Sequence, residues 1–136
     1  MTDEIAAKKR SANRQKLSCR GTGHLAIIVT SYNQAKTVEF LLFSLQRQTV
    51  IDFEVLIADD GSTDESRDIC NRAYGFPIKF ITQEDLGYRK ARILNLALKQ
   101  SSAKYLIFVD GDVIVEKHFV EDHLRLRATS AVVCGR

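Results

Sequence analysis

From Leu25 onward the chain alternates uninterrupted apolar blocks with stretches whose apolar residues recur at helical spacing. Leu25-Ala26-Ile27-Ile28-Val29 is the first block and reads as a buried strand, because a strand with one wet face would alternate apolar with polar residues. After the polar run Thr30-Ser31-Tyr32-Asn33-Gln34, residues Val38, Leu41, Leu42 and Leu45 recur at i, i+3, i+4 and i+7 and predict a helix running to about Gln48. The unit then repeats. Phe53 to Ala58 predicts a second strand ending at Asp59-Asp60-Gly61-Ser62. Ser62 and Glu65 have the spacing of a capping box, so a helix beginning there should bury Ile69, Cys70 and Ala73. Gly75 closes that helix, and Pro77 opens a third strand, Ile78 to Thr82, where the missing N–H is tolerated. The loop Gln83-Glu84-Asp85-Leu86-Gly87-Tyr88 leads to a third helix over about residues 89–100, with Ala91, Leu94 and Leu98 on one face beside Ile93 and Ala97. A fourth strand (Tyr105 to Val109), a fourth helix (Glu116 to Arg127) and a short fifth strand (Ala131-Val132-Val133) complete the pattern.

Continuous apolar strands separated by amphipathic helices predict an α/β fold: a mainly parallel sheet with helices on both faces. Sheets of this kind bind ligands beyond the carboxyl ends of their strands, near the point where strand order reverses. The polar clusters at 30–34, 59–62, 83–90 and 110–112 all fall at those ends and should converge on one rim.

Composition changes this picture little. A chain of 136 residues with 45% hydrophobic and 27% charged residues is an ordinary globular domain, and it contains no apolar run approaching a membrane span. The acidic start Met1-Thr2-Asp3-Glu4 lacks the apolar region of a secretory signal, so a cytoplasmic location is the expectation. Cys19, Cys70 and Cys134 fit neither a disulfide framework nor metal-ligand spacing and read as free thiols. The net charge of +3 is uneven: residues 1–24 carry six Lys/Arg against Asp3 and Glu4, a balance of +4, which leaves −1 for the rest. The sequence therefore divides into a basic, poorly ordered tail over 1–24 and a near-neutral α/β domain over 25–136. A neutral domain does not imply nucleic-acid binding, whereas the tail suits peripheral contact with an anionic membrane surface.

The chemistry is on the rim. Asp110-Gly111-Asp112 ends a buried strand with two carboxylates that a core does not need. Like charges so close raise each other's pKa unless a cation intervenes, and a hard divalent ion with oxygen ligands is the usual answer; the alternative is an Asp-Gly turn that merely ends the strand. In Asp59-Asp60-Gly61-Ser62 one aspartate can cap the next helix, and with Ser62 already placed as a cap the other is free to accept a hydrogen bond from a ligand. Tyr32 offers a ring that could lie against a base or simply pack the rim. Arg89, Lys90 and Arg92 open the third helix, where cations oppose the dipole unless an anion such as a diphosphate is bound. His24, His118 and His123 form no pattern, and Glu84 and Asp85 are loop charges near the rim. No Gly-x-Gly-x-x-Gly follows the first strand and no phosphate-loop lysine motif occurs, which disfavours hydride transfer with a dinucleotide and P-loop chemistry. A phospho-acceptor receiver domain would carry acids after the first strand, where this chain has Thr30-Ser31-Tyr32.

Taken together, Ile28-Val29-Thr30-Ser31-Tyr32-Asn33, Leu45-Gln46-Arg47-Gln48-Thr49, Phe53 through Asp64 and Phe108-Val109-Asp110-Gly111-Asp112 resemble the family 2 glycosyltransferases. The loop Gln83 to Ala91 is similar to their chondroitin-polymerase and galactosyltransferase-like branch. The resemblance covers residues 25–136 and implies the nucleotide-binding half of a glycosyltransferase A-type, Rossmann-like fold. It implies a metal-dependent inverting transferase that binds a nucleotide sugar, most often a UDP-sugar, with Mn²⁺ or Mg²⁺, for transfer to a saccharide or other hydroxyl acceptor. Carried over by position, Thr30 and Tyr32 border the base with Tyr32 stacking, Asp60 accepts from the uracil imide, and Arg89 approaches the diphosphate. Asp110 contacts ribose or the metal, and Asp112 ligates the metal. The acceptor-binding half with its carboxylate base is expected beyond Arg136, which leaves open a non-catalytic donor-binding fragment or scaffold module as the alternative. Another nucleotide-handling α/β domain, such as a nucleotidyltransferase, would need a Gly- and Lys-rich loop after the first strand that is missing here. Uncovered sheet surface near the chain's end is expected to pack on a partner or support a homodimer.

Overall fold

The computed structural model describes residues 25–127 and 132–134. The basic tail over 1–24, with Cys19 and His24, lies outside the described residues, as does Ala131. β1 (Leu25–Ser31), β2 (Glu54–Asp59), β3 (Ile78–Thr82) and β4 (Tyr105–Asp110) form one sheet in the order β3-β2-β1-β4, and every pairing is parallel. Helices α1 (Ala35–Gln46), α2 (Ser66–Cys70), α3 (Lys90–Gln100) and α4 (Phe119–Leu126) lie on its two faces.

The side-chain period of two in a strand explains the layering. Leu25, Ile27 and Val29 of β1, with Val55, Ile57, Ile107 and Val109 of the neighbouring strands, point to one side and pack on Val38, Leu41, Leu42 and Leu45 of α1, Ile69 of α2, and Val120 and Leu124 of α4. Ala26, Ile28, Leu56, Ala58 and Ile81 point to the other side, under Ile93 and Ala97 of α3. Each large aliphatic side chain so buried stabilises the fold by about 1.5–3 kcal/mol. The α3 layer stops short of the β4 edge, where Phe108, beside Ile28 in register, remains 54% exposed.

A buried polar residue joins α1 to α4. Gln48 has no exposed surface, and its amide donates to the Glu116 carbonyl at 2.7 Å while its oxygen accepts from the Val120 N–H at 3.0 Å. One glutamine thus satisfies the start of α4 and the end of α1, which gives the Leu45 to Thr49 motif a structural reason. Cys70 is buried beside Asp59, and burial pushes its thiol up to about 12, so it is an inert core residue as expected of a free thiol.

Six expectations change. The second helix runs only from Ser66 to Cys70, Ala73 is exposed, and Tyr74 is the buried residue instead. The capping box does not form because the Ser62 hydroxyl donates to Asp59 and accepts the Asn33 N–H at 2.8 Å; Asp64 caps the helix, accepting the Ser66 N–H at 3.1 Å. Gly75 therefore serves the turn into β3 rather than the helix end. The fourth helix begins at Phe119, since Glu116 turns back to accept the His118 N–H at 2.7 Å. Ala91 is exposed, and Leu94 and Leu98 are half-buried flanks of the Ile93 and Ala97 stripe. Val132 and Val133 are not in a strand, and Val132 is 90% exposed.

Candidate functional site

A cavity of about 400 Å³ opens at the carboxyl ends of β1, β2 and β4, and Thr30, Tyr32, Asp60, Lys90, Asp110 and Asp112 are among the residues that line it. The rim predicted from the polar clusters is therefore a real convergence. Strand order reverses at β1, with β2 on one side and β4 on the other, so the loops after these strands diverge and leave a crevice.

The β1/β4 register puts Thr30 directly beside Asp110, and the Thr30 hydroxyl donates to Asp110 Oδ1 at 2.7 Å. Lys90 Nζ reaches the same oxygen at 2.6 Å. The Lys90 ammonium, followed by the Thr30 hydroxyl, holds the Asp110 carboxyl below the usual carboxylate range, and Asp110 in turn raises Lys90. The glycine between the two acids is required by space: its N–H donates to the Thr30 carbonyl at 2.9 Å, and a Cβ there would stand 2.7 Å from that same oxygen. Asp112 follows it, exposed at the cavity mouth.

At the other end the paired aspartates divide their work. Asp59 is fully buried and committed to the loop, accepting from the N–H groups of Gly61 and Ser62 and from the hydroxyls of Ser62 and Thr82. Asp60 faces the cavity; it accepts from the Gln83 amide at 2.5 Å and from the Arg89 N–H at 2.8 Å, which fixes the start of α3. The Arg89 side chain does not line the cavity: Arg89 precedes the helix, and its guanidinium donates to the Glu84 carbonyl at 2.5 Å. Lys90 lines the cavity instead. Tyr32 is half-exposed and donates to Asp85 Oδ2 at 2.8 Å; this hydrogen bond, more than the Asp85 charge, raises its phenol above the ordinary value.

Two residues that the sequence reading left unassigned hold this frame. Asn33 adopts φ +48 and its side-chain oxygen accepts the Thr63 N–H at 2.9 Å. Asp64 accepts the Ala35 N–H at 2.9 Å as well as that of Ser66, so one carboxylate caps both α1 and α2. Burial would raise this carboxyl, but the hydrogen bonds from Ser66 and Ala35 outweigh it and leave it lowered. The Ser/Thr/Asp cluster after β2 was the signal; capping is what it does.

Among the described residues no group of three or more His, Cys, Asp or Glu side chains is arranged to hold a metal ion. Asp110 and Asp112 offer oxygen donors only, both exposed, which suits a hard divalent ion that completes its shell with water and ligand oxygens. The two residues fit Mn²⁺ or Mg²⁺ on that condition.

The fold and cavity define a parallel α/β domain with a ligand-sized cavity at its switch point. The sequence matches the family described as Glycosyl transferase family 2 over residues 26–136, and the chain belongs to that family. It is 40% identical over 111 residues to validoxylamine A glucosyltransferase of Streptomyces hygroscopicus subsp. jinggangensis, an alignment covering 79% of this chain and 26% of the relative. It is 32% identical over 106 residues to chondroitin synthase of Escherichia coli, covering 76% of this chain and 16% of that one. Among solved structures, residues 1–349 of S. aureus TarS in complex with UDP superpose with a TM-score of 0.69 at 30% identity, over 75% of this chain and 31% of that one. The chain thus spans about a quarter or less of the length of these two curated relatives. The fold is the glycosyltransferase A-type fold expected from the sequence. No helix among the described residues is long and apolar enough to cross a membrane.

Proposed function

We propose that this chain is the donor-binding part of a metal-dependent, inverting glycosyltransferase that takes a UDP-sugar and transfers its sugar to a saccharide or other hydroxyl acceptor. The observation that carries the reading is a single cavity with Tyr32 and Asp60 toward β2 and the Asp110/Asp112 pair at the end of β4. Its volume of about 400 Å³ falls within the range of about 300–1,000 Å³ usual for small-molecule sites. Tyr32 and Thr30 border the base, Asp60 accepts from the uracil imide, and Asp110 contacts ribose or shares the metal with Asp112. When bound, such a cation offsets the charge that develops on the departing diphosphate. Asp110 and Asp112 would hold that cation; in this reading the acceptor hydroxyl attacks the anomeric carbon from the side opposite the departing diphosphate and gives its proton to the base, which inverts the configuration. Since the relatives are several times longer, acceptor binding and the carboxylate base belong, in this reading, to sequence outside these residues.

Titration with UDP and with ADP, each with and without Mn²⁺, tests the reading. UDP should bind more tightly than ADP and more tightly with Mn²⁺; equal or absent binding of both would sink it. Asp112→Ala should abolish the Mn²⁺ enhancement without lowering the melting temperature, because the side chain is exposed, and an unchanged enhancement removes Asp112 from the site.

A further inference from the structure

Of the three cations that open α3, only Lys90 enters the cavity. Arg89 is tied to the Glu84 carbonyl, and Arg92 donates to Gln83 Oε1 at 3.2 Å. Within the cavity wall Lys90 is the only cation among the described residues, facing the carboxylates of Asp60, Asp85, Asp110 and Asp112. A diphosphate entering that wall needs positive charge, and the one cation lining it among the described residues is engaged: Lys90 Nζ sits 2.6 Å from Asp110 Oδ1. An ammonium and a divalent cation repel at short range, so a metal shared by Asp110 and Asp112 competes with Lys90 for this place. Its flexible four-carbon stem, half-exposed at the first position of α3, lets the head group move.

We infer that Lys90 is a placeholder cation: it neutralises Asp110 in the metal-free site, and when Asp110 takes a divalent cation it turns to the donor's diphosphate. This rests on the donor-site reading above. It makes Lys90 a competitor of the metal when no nucleotide is present and an ally of the nucleotide when metal is bound. A residue that merely stabilised the rim would not act in opposite directions on the two ligands.

The test is calorimetric titration of the full chain with MnCl₂ alone and with UDP at saturating Mn²⁺, for wild type, Lys90→Met, Lys90→Gln and Lys90→Arg. Both neutral variants should bind Mn²⁺ alone about two- to fivefold more tightly, the range expected for loss of a partly exposed competing ion pair. They should bind UDP with Mn²⁺ on the order of tenfold more weakly, the loss of one charge-assisted phosphate contact. Lys90→Arg should stay closer to wild type for UDP than either neutral variant. Thermal melts establish that each variant is folded, and Lys90→Gln carries the measurement if Lys90→Met does not fold. If the neutral variants weaken Mn²⁺ binding or leave it unchanged, or if they leave UDP binding unchanged, the inference is wrong while the donor site stands. If wild type binds neither ligand, the donor-site reading falls and this inference falls with it.

Discussion

Gly61 to alanine separates two ways in which a glycine can be required. Gly61 has φ +94, and a Cβ built on it would lie 2.7 Å from the Asp85 nitrogen and 2.8 Å from the Asp85 Cα. The left-handed backbone costs an L-residue about 1–2 kcal/mol. Forcing the Asp85 backbone away adds an overpacking cost of about 1–3 kcal/mol. Gly75 is the internal control: its φ is +89, but a Cβ there meets nothing within 4 Å, so Gly75→Ala carries the first cost alone. Gly61→Ala should therefore be the less stable of the two by about 1–3 kcal/mol, which for a domain of roughly this size lowers the melting temperature by at least about 4 °C more. The function should separate the variants too. Asp85 holds the Tyr32 hydroxyl at 2.8 Å, so displacing Asp85 frees the ring proposed to border the base. Thermal melts followed by circular dichroism, with a UDP titration in Mn²⁺ on each variant, measure both. If the two variants melt together, or if Gly61→Ala binds UDP as well as Gly75→Ala does, contact between Gly61 and Asp85 is not what positions the loop.

Two further predictions follow from the same geometry. Asp59→Ala leaves the Gly61 and Ser62 N–H groups and the Thr82 hydroxyl without their buried acceptor and should cost about 2–4 kcal/mol in urea denaturation. Asp60→Ala should cost less stability than Asp59→Ala and more UDP affinity; the reverse order would exchange the roles of the two acids. Stability should decline on the acid side in two windows. Desolvation among Tyr105 and Phe119 lowers His123 despite the nearby Asp122 charge, so the folded state binds fewer protons than the unfolded one and stability is lost as pH falls below about 6.5. Asp64, also lowered, contributes stability above the ordinary carboxylate value of 3.8 that is lost as pH falls through its lower folded value. His123→Gln should flatten the change in urea midpoint between about pH 7 and 5, and a slope equal to wild type would show that His123 does not titrate with folding.

The comparison between Arg89 and Lys90 shows where sequence patterns lose their hold. The four strands were legible because a parallel sheet covered on both faces demands unbroken apolar runs, and the strand ends fixed which polar clusters share a rim. That reasoning placed Thr30, Tyr32, Asp60, Asp110 and Asp112 together without needing side-chain directions. Direction is a finer property. Helical spacing carries the buried stripe of Ile93 and Ala97 back three positions to Lys90, so the pattern did contain the cavity-facing cation. Arg89 lies four positions before Ile93 and looks equally placed, but it precedes the helix with φ −132 and ψ 40, where the helical period no longer dictates where its side chain goes. What fixes Arg89 is its N–H on Asp60 and its guanidinium on Glu84, and the first of these contacts spans 29 residues. The failed capping box has the same origin. Ser62 and Glu65 had the right spacing, yet Asp59 and Asn33 claimed the serine hydroxyl, and Asn33 belongs to a different strand-end loop. Local spacing nominates a capping or binding group; packing between loops decides whether it keeps that role. For this site the deciding contacts are those that link the loops after β1, β2 and β3, which is why a perturbation at Gly61 should be felt at Tyr32.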